Sequence, residues 1–195
     1  KCTCGGRVGG ADGGAVAPDG TAESALNLSV ALRVRDLCAF LGVDTVMTRD
    51  TEEITYPSEA KTIAAMKKWD TRRRVEIAES VDSPVFLSIH QNIYPSSGPR
   101  GSQVLYAQNE PSRALAELIQ SRLTAALLPE NRRVPVPAGK DIYIMSHVQC
   151  TAVLVECGFL SHPQELSLLQ SSDYQKKIAS VLTACYLQFT EKGVL

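Results

Sequence analysis

The chain has 195 residues, 44% hydrophobic and 21% charged, which is the composition of one folded domain with its own core. Its 20 basic and 21 acidic side chains nearly cancel, at a net charge of -1, which argues against a nucleic-acid or polyphosphate partner. No run approaches the roughly 18 apolar residues of a membrane span, and the first residues lack the basic-then-apolar layout of a signal peptide.

In chain order, residues 9–20 read GGADGGAVAPDG, five glycines in twelve residues, and predict a loop with unusual backbone angles. Leu26, Val30, Val34, Leu37 and Leu41 then recur at helical spacing, and Gly42 is placed to end that helix. Residues 43–48 read as a short strand. A polar stretch containing Pro57 follows, and Asp70 is a candidate N-cap for a helix reaching about Ser80. The dense basic run between Lys67 and Arg74 falls here and reads as a solvated helix start.

The segment PVFLSIH, residues 84–90, predicts a strongly apolar strand, followed by the turn-rich YPSSGPRG and a second strand over 103–107. Leu115, Leu118, Ile119, Leu123 and Ala126 mark a helix over 112–128. A proline-rich link leads to a short strand expected at 142–145, then to the apolar strand TAVLVE at 151–156. Two helices, 163–169 and 173–190, close the chain. Strands alternating with helices, and two strands apolar on both faces, predict one α/β domain of three layers: a mostly parallel sheet covered by helices on both sides.

Six cysteines are present. Cys38, Cys150, Cys157 and Cys185 fall on apolar faces or beside an apolar strand and read as buried thiols. Cys2 and Cys4 form a C-x-C pair with no matching C-x-x-C, a weak signal for either a disulfide or a structural zinc site.

Ligands of open α/β sheets bind beyond the carboxyl ends of the strands. His90 closes the first apolar strand, and Glu156 closes the last. Glu23, in GTAE, stands at the entrance to the first helix. Each has an ordinary alternative. His90 could be a hydrogen-bonded structural residue, and Glu23 could complement a helix N-terminus, an effect of roughly 0.3–1 kcal/mol. Glu156 is harder to explain away, because a carboxylate after five apolar residues is costly to bury unless paired or metal-bound. An imidazole and two carboxylates at one sheet edge suit zinc hydrolysis, in which a carboxylate takes the proton of an activated water. The glycines of GGADGG do not follow a predicted strand, so a nucleotide-binding loop is a poor reading.

Taken together, DGGAV, DGTAE, LNLSVALRVRDLCAFLGVDTVMTR, RRRVEIAE, VFLSIHQN and TAVLVECGFLSHPQE through DYQKKIA resemble, in order and spacing, the zinc-dependent N-acetylmuramoyl-L-alanine amidase family. These enzymes cut stem peptides from bacterial peptidoglycan. The resemblance covers nearly the whole chain after Gly9, and YPSSGPRGSQVLYA is most similar to the spore-germination branch. It implies hydrolysis of the amide between N-acetylmuramic acid and L-alanine, with one zinc held by His, Glu and His and a further Glu as base. The motifs put zinc ligands at Glu23 and His90 and the catalytic carboxylate at Glu156; His147 and His162 match no family ligand. Peptidoglycan as substrate, a place of action in the cell wall or spore, and a regulatory protein partner are the further expectations.

The departure from the family lies at the start. Where the family has an apolar strand and a GHGG-type turn whose His is the first zinc ligand, this chain has KCTCGGRVGGADGG, with Val8 at the His position. Catalytic zinc sites normally have three protein ligands, so weak or absent zinc and reduced activity are expected unless Cys2 or Cys4 substitutes. The alternative is an inactive domain that still binds peptidoglycan or a partner protein. A zinc carboxypeptidase is a third reading, separable by its products.

Overall fold

The computed structural model describes residues 14–191. Within them, helix α1 spans Glu23–Phe40 and α2 Ile63–Glu79, followed by strands β1, Val85–Asn92, and β2, Gln103–Tyr106. Helix α3 spans Glu110–Leu127, β3 Val136–Pro137, α4 Tyr143–His147, β4 Thr151–Phe159, α5 Pro163–Gln170 and α6 Ser172–Glu191. The strands form one sheet in the order β1-β4-β2-β3. β1 runs parallel to β4 and β2 parallel to β3, but β2 and β4 are antiparallel, so the sheet is mixed.

Alternation along β1 and β4 builds two cores from one sheet. Val85, Leu87, Ile89, Val153, Val155 and Cys157 face α1, α3, α5 and α6. Phe86, Ala152 and Leu154 face the other way, against Ala78 of α2 and Met145 of α4. Burying each Leu, Ile or Phe side chain contributes roughly 1.5–3 kcal/mol, and the first of these cores is the larger. The three-layer expectation therefore holds, with unequal layers.

The helix starts follow local chemistry. Asn109 caps α3 by accepting from Ser112 N at 2.9 Å, with Pro111 in the first turn. His162 caps α5, its Nδ1 accepting from Glu165 N at 3.4 Å. Helix α2 departs from expectation: its cap is Thr62, whose side chain accepts from Ala65 N at 3.1 Å, and Asp70 lies inside the helix. There Asp70 accepts from buried Arg74 one turn later, at 3.0 Å. A capping-type residue has become half of an ion pair.

Two expected strands are corrected. Residues 43–48 carry no strand assignment, because a strand is defined by its pairing and no described strand lies alongside. Residues 142–145 turn into the start of α4, since Met145 and Val148 sit on one side at helical spacing and are buried together. The proline-rich link contributes the two-residue β3. Cys38, Cys157 and Cys185 are buried as expected, whereas Cys150 is only half-buried.

Candidate active site

β1 and β4 bring His90 and Glu156 side by side. The two are register partners in the parallel pair, so they point to the same face of the sheet, which also carries Phe86, Ser88, Ala152 and Leu154. The register then slips: Asn92 pairs with Phe159, so three steps on β4 match two on β1. β4 accordingly runs past Glu156, where the sequence placed its end. Bulges of this kind re-aim side chains next to active sites.

Helix α1 delivers Glu23 to the same place. Glu23 Oε1 accepts from His90 Nδ1 at 2.9 Å, Asn27 Nδ2 at 3.0 Å and Gln91 N at 3.2 Å. Its Oε2 accepts from Ala15 N at 3.0 Å. The approach of the glycine-rich loop is close enough that a Cβ on Gly14 would stand 2.7 Å from Oε2, and Gly14 has φ +69°. Burial opposes ionisation of Glu23, but the hydrogen bond and charge of His90 and the bonds from Ala15 and Asn27 overcome it and pull its pKa down to about 2. Burial also opposes a charged His90, and Glu23 outweighs it, holding the imidazole above its ordinary value. His90 Nε2 lies 3.1 Å from Ser88 Oγ.

Glu156 has the opposite environment. Its Oε2 is buried without a hydrogen-bond partner among the described residues. Burial pushes its pKa up to about 7; His90 lowers it and Glu23 raises it. Two carboxylates at one imidazole thus differ in acidity, Glu23 pulled down and Glu156 pushed up by their surroundings.

Several supporting residues carried no decisive signal in the sequence. Asn27 follows Glu23 by one helical turn, and its Oδ1 accepts from Gln91 Nε2 at 3.2 Å, closing a buried polar ring around the carboxylate. Arg49, 7% exposed, donates to Ser24 O and Thr51 O, both at 2.7 Å, and so ties down the first turn of α1. Burial and the neighbouring Arg74 push its pKa down to about 10. Glu165 accepts from Gly101 N and Phe159 N, both at 2.8 Å, pinning the end of β4. His147 stacks on Tyr143 with ring centroids 3.8 Å apart, and its Nδ1 lies 2.8 Å from Tyr143 O.

An imidazole facing a carboxylate is a zinc-type donor pair, and the unsatisfied Glu156 oxygen beside it suits a base. The donor types fit the ion; their number falls one short. Among the described residues no group of three or more His, Cys, Asp or Glu is arranged to hold a metal. Val8, Cys2 and Cys4 lie outside the described residues.

A mixed α/β sheet carries His90 and Glu156 on neighbouring strands, and the first turn of α1 brings Glu23 to them. The chain belongs to the N-acetylmuramoyl-L-alanine amidase family, whose model matches residues 5–185. It is 37% identical over 190 residues to the germination-specific N-acetylmuramoyl-L-alanine amidase of Bacillus subtilis, covering 95% of this chain and 78% of that one. Among solved structures, the CwlD amidase of Clostridioides difficile, in complex with the GerS lipoprotein, superimposes with a TM-score of 0.91 at 30% identity, covering 98% of both chains. The amidase AmiC2 of Nostoc punctiforme gives 0.81 at 26% identity over 97% of this chain and 96% of that one.

Proposed function

We propose that this chain hydrolyses the amide between N-acetylmuramic acid and L-alanine in peptidoglycan, that Glu23 and His90 hold a zinc ion, and that Glu156 is the general base. The observation that carries this reading is the buried, unpartnered Glu156 Oε2 beside the Glu23–His90 pair. Bound zinc supplies a Lewis acid and lowers the pKa of water from 15.7 to about 7.

The chain's own groups do the remainder. Glu156 takes the proton of the attacking water on Oε2, and its pKa of about 7 suits it to give that proton back at neutral pH. Oxygen adds to the lactyl carbonyl carbon, the carbon–nitrogen bond breaks, and the proton passes from Glu156 to the departing L-alanine nitrogen. Ala15 N, Asn27 Nδ2 and Gln91 N hold the Glu23 carboxylate in place beside His90.

Val8 supports a second element of the proposal. With Val where the family has its first His, zinc binds weakly and turnover is low. Peptidoglycan lies outside the membrane, so the place of action is extracytoplasmic, in cell wall or spore. No helix among the described residues is long and apolar enough to cross a membrane. The lipoprotein complex of the Clostridioides difficile relative supports a protein partner here also.

Zinc content per chain, measured on the unmodified protein and on Val8→His with peptidoglycan digestion alongside, tests the proposal. The expected result is stoichiometric zinc and release of peptides beginning with L-alanine from Val8→His only. Full zinc and cutting in the unmodified chain would overturn the impairment and point to a substitute ligand. Full zinc without cutting in both proteins would favour an inactive, peptidoglycan-binding domain.

A further inference from the structure

The basic run of α2 does not behave as one solvated face. Helical geometry distributes it three ways. Arg74 turns inward to Asp70 and Thr48 Oγ1, and Arg73 pairs outward with Glu76. Lys67, Lys68 and Arg72 line a groove of about 620 Å³ between α2 and α4, and His90 forms part of the same lining. Lys68 and Arg72 form no ion pair among the described residues. They stand four residues apart on one helix face, about 6 Å along its axis. Asp141 is the carboxylate on the facing wall, against Lys68 and Arg72. Ile142, Ile144, Met145 and Leu154 complete the groove with apolar surface.

A groove that reaches His90 receives, on the amidase reading, one half of the substrate. The two halves of peptidoglycan differ in charge: the glycan is a neutral amino-sugar polymer, and the stem peptide carries free carboxylates and aliphatic side chains. Lys68 and Arg72 above an apolar wall complement the peptide and offer the glycan nothing equivalent. We infer that the α2–α4 groove is the stem-peptide subsite, with Lys68 and Arg72 binding a free carboxylate of the peptide. The inference rests on the amidase reading and adds the determinant of substrate choice: a stem whose carboxylates are amidated is the poorer ligand.

The test is binding, in EDTA so that nothing is cleaved. The probes are a disaccharide-peptide with free stem carboxylates and the same molecule with those carboxylates amidated. They are titrated against the unmodified chain, Lys68→Ala/Arg72→Ala and Lys68→Arg. The expected result is about tenfold tighter binding of the free acid by the unmodified chain and by Lys68→Arg. The preference falls below about twofold in the double variant, with its melting temperature unchanged because both side chains are exposed. Equal affinity for the two probes, no measurable binding of either, or a preference that survives in the double variant each overturns the assignment. Peptide release by the zinc-loaded Val8→His protein reports separately on the amidase reading. Release without a carboxylate preference removes the groove alone; preference without release removes the amidase reading and leaves an anionic-peptide site.

Discussion

At the scale of single residues, Glu23 and Glu156 show how environment splits one functional group into two roles. Glu23 satisfies two backbone amides and two side chains, so Glu23→Ala leaves Gln91 N and Ala15 N without their acceptor. A loss of about 2–3 kcal/mol is expected in denaturant titrations run in EDTA, where zinc binding cannot contribute. Glu156 Oε2 has no hydrogen-bond partner to lose among the described residues. Its folded pKa of about 7 lies above the ordinary 4.5, so its ionisation costs the folded state nothing at low pH. The cost appears as pH rises above the unfolded value and levels off beyond the folded one. Glu156→Gln should therefore match the unmodified protein near pH 4.5 and exceed it at pH 8, by on the order of 1–3 kcal/mol. Peptide release by the same substitution in the Val8→His background should fall at least about 100-fold. A variant that loses stability at pH 8 would contradict the unpartnered carboxylate; one that keeps its rate would remove Glu156 as base.

At the scale of elements, the site depends on a strand end that the sheet alone does not hold. Beyond the register slip, β4 is anchored by Glu165 from α5, through Phe159 N, and the loop before β2 by the same carboxylate through Gly101 N. Gly101 has φ +92°, and a Cβ there would stand 2.6 Å from Asn131 Oδ1, so no side chain fits at this position. Glu165→Ala should cost about 2–4 kcal/mol by leaving two buried amides unpaired. Because Phe159 and Glu156 share the strand segment that carries the slip, activity should fall further than the population of folded protein does. Thermal denaturation and peptide release, measured on the same preparation of Val8→His with and without Glu165→Ala, check both parts. A change in stability with no change in rate would mean that α5 braces the fold and not the site.

At the scale of the whole molecule, one core joins most of the layers. Cys157 of β4 and Cys185 of α6 are each 1% exposed within the larger core, and burial pushes their thiols up to about 12 and about 11. Thiolate is the reactive form, so neither should be alkylated by iodoacetamide at pH 8 in the folded protein. Both should label together as denaturant crosses the unfolding midpoint, followed by peptide mass mapping. Labelling of Cys185 well before Cys157 would show that α6 detaches on its own.

The apolar runs PVFLSIH and TAVLVE determined by themselves that two strands would be buried on both faces, although β1 lies at the edge of the described sheet, and their terminal residues marked the candidate site. Helical periodicity likewise placed α1, α3 and α6 within a few residues, because these elements bury a face whose spacing is written locally. Three things needed the folded chain. The start of α2 was hidden because none of residues 63–70 is buried, so no core-facing periodicity marks its first turns and the Thr62 cap is the local sign. Residues 142–145 read as a short strand, and packing of Met145 against the sheet decided for helix. The protonation of Glu23 and Glu156 was beyond any pattern. Charge state depends on distance to groups 67 and 133 positions away from Glu23, His90 and Glu156, and only the tertiary structure sets those distances.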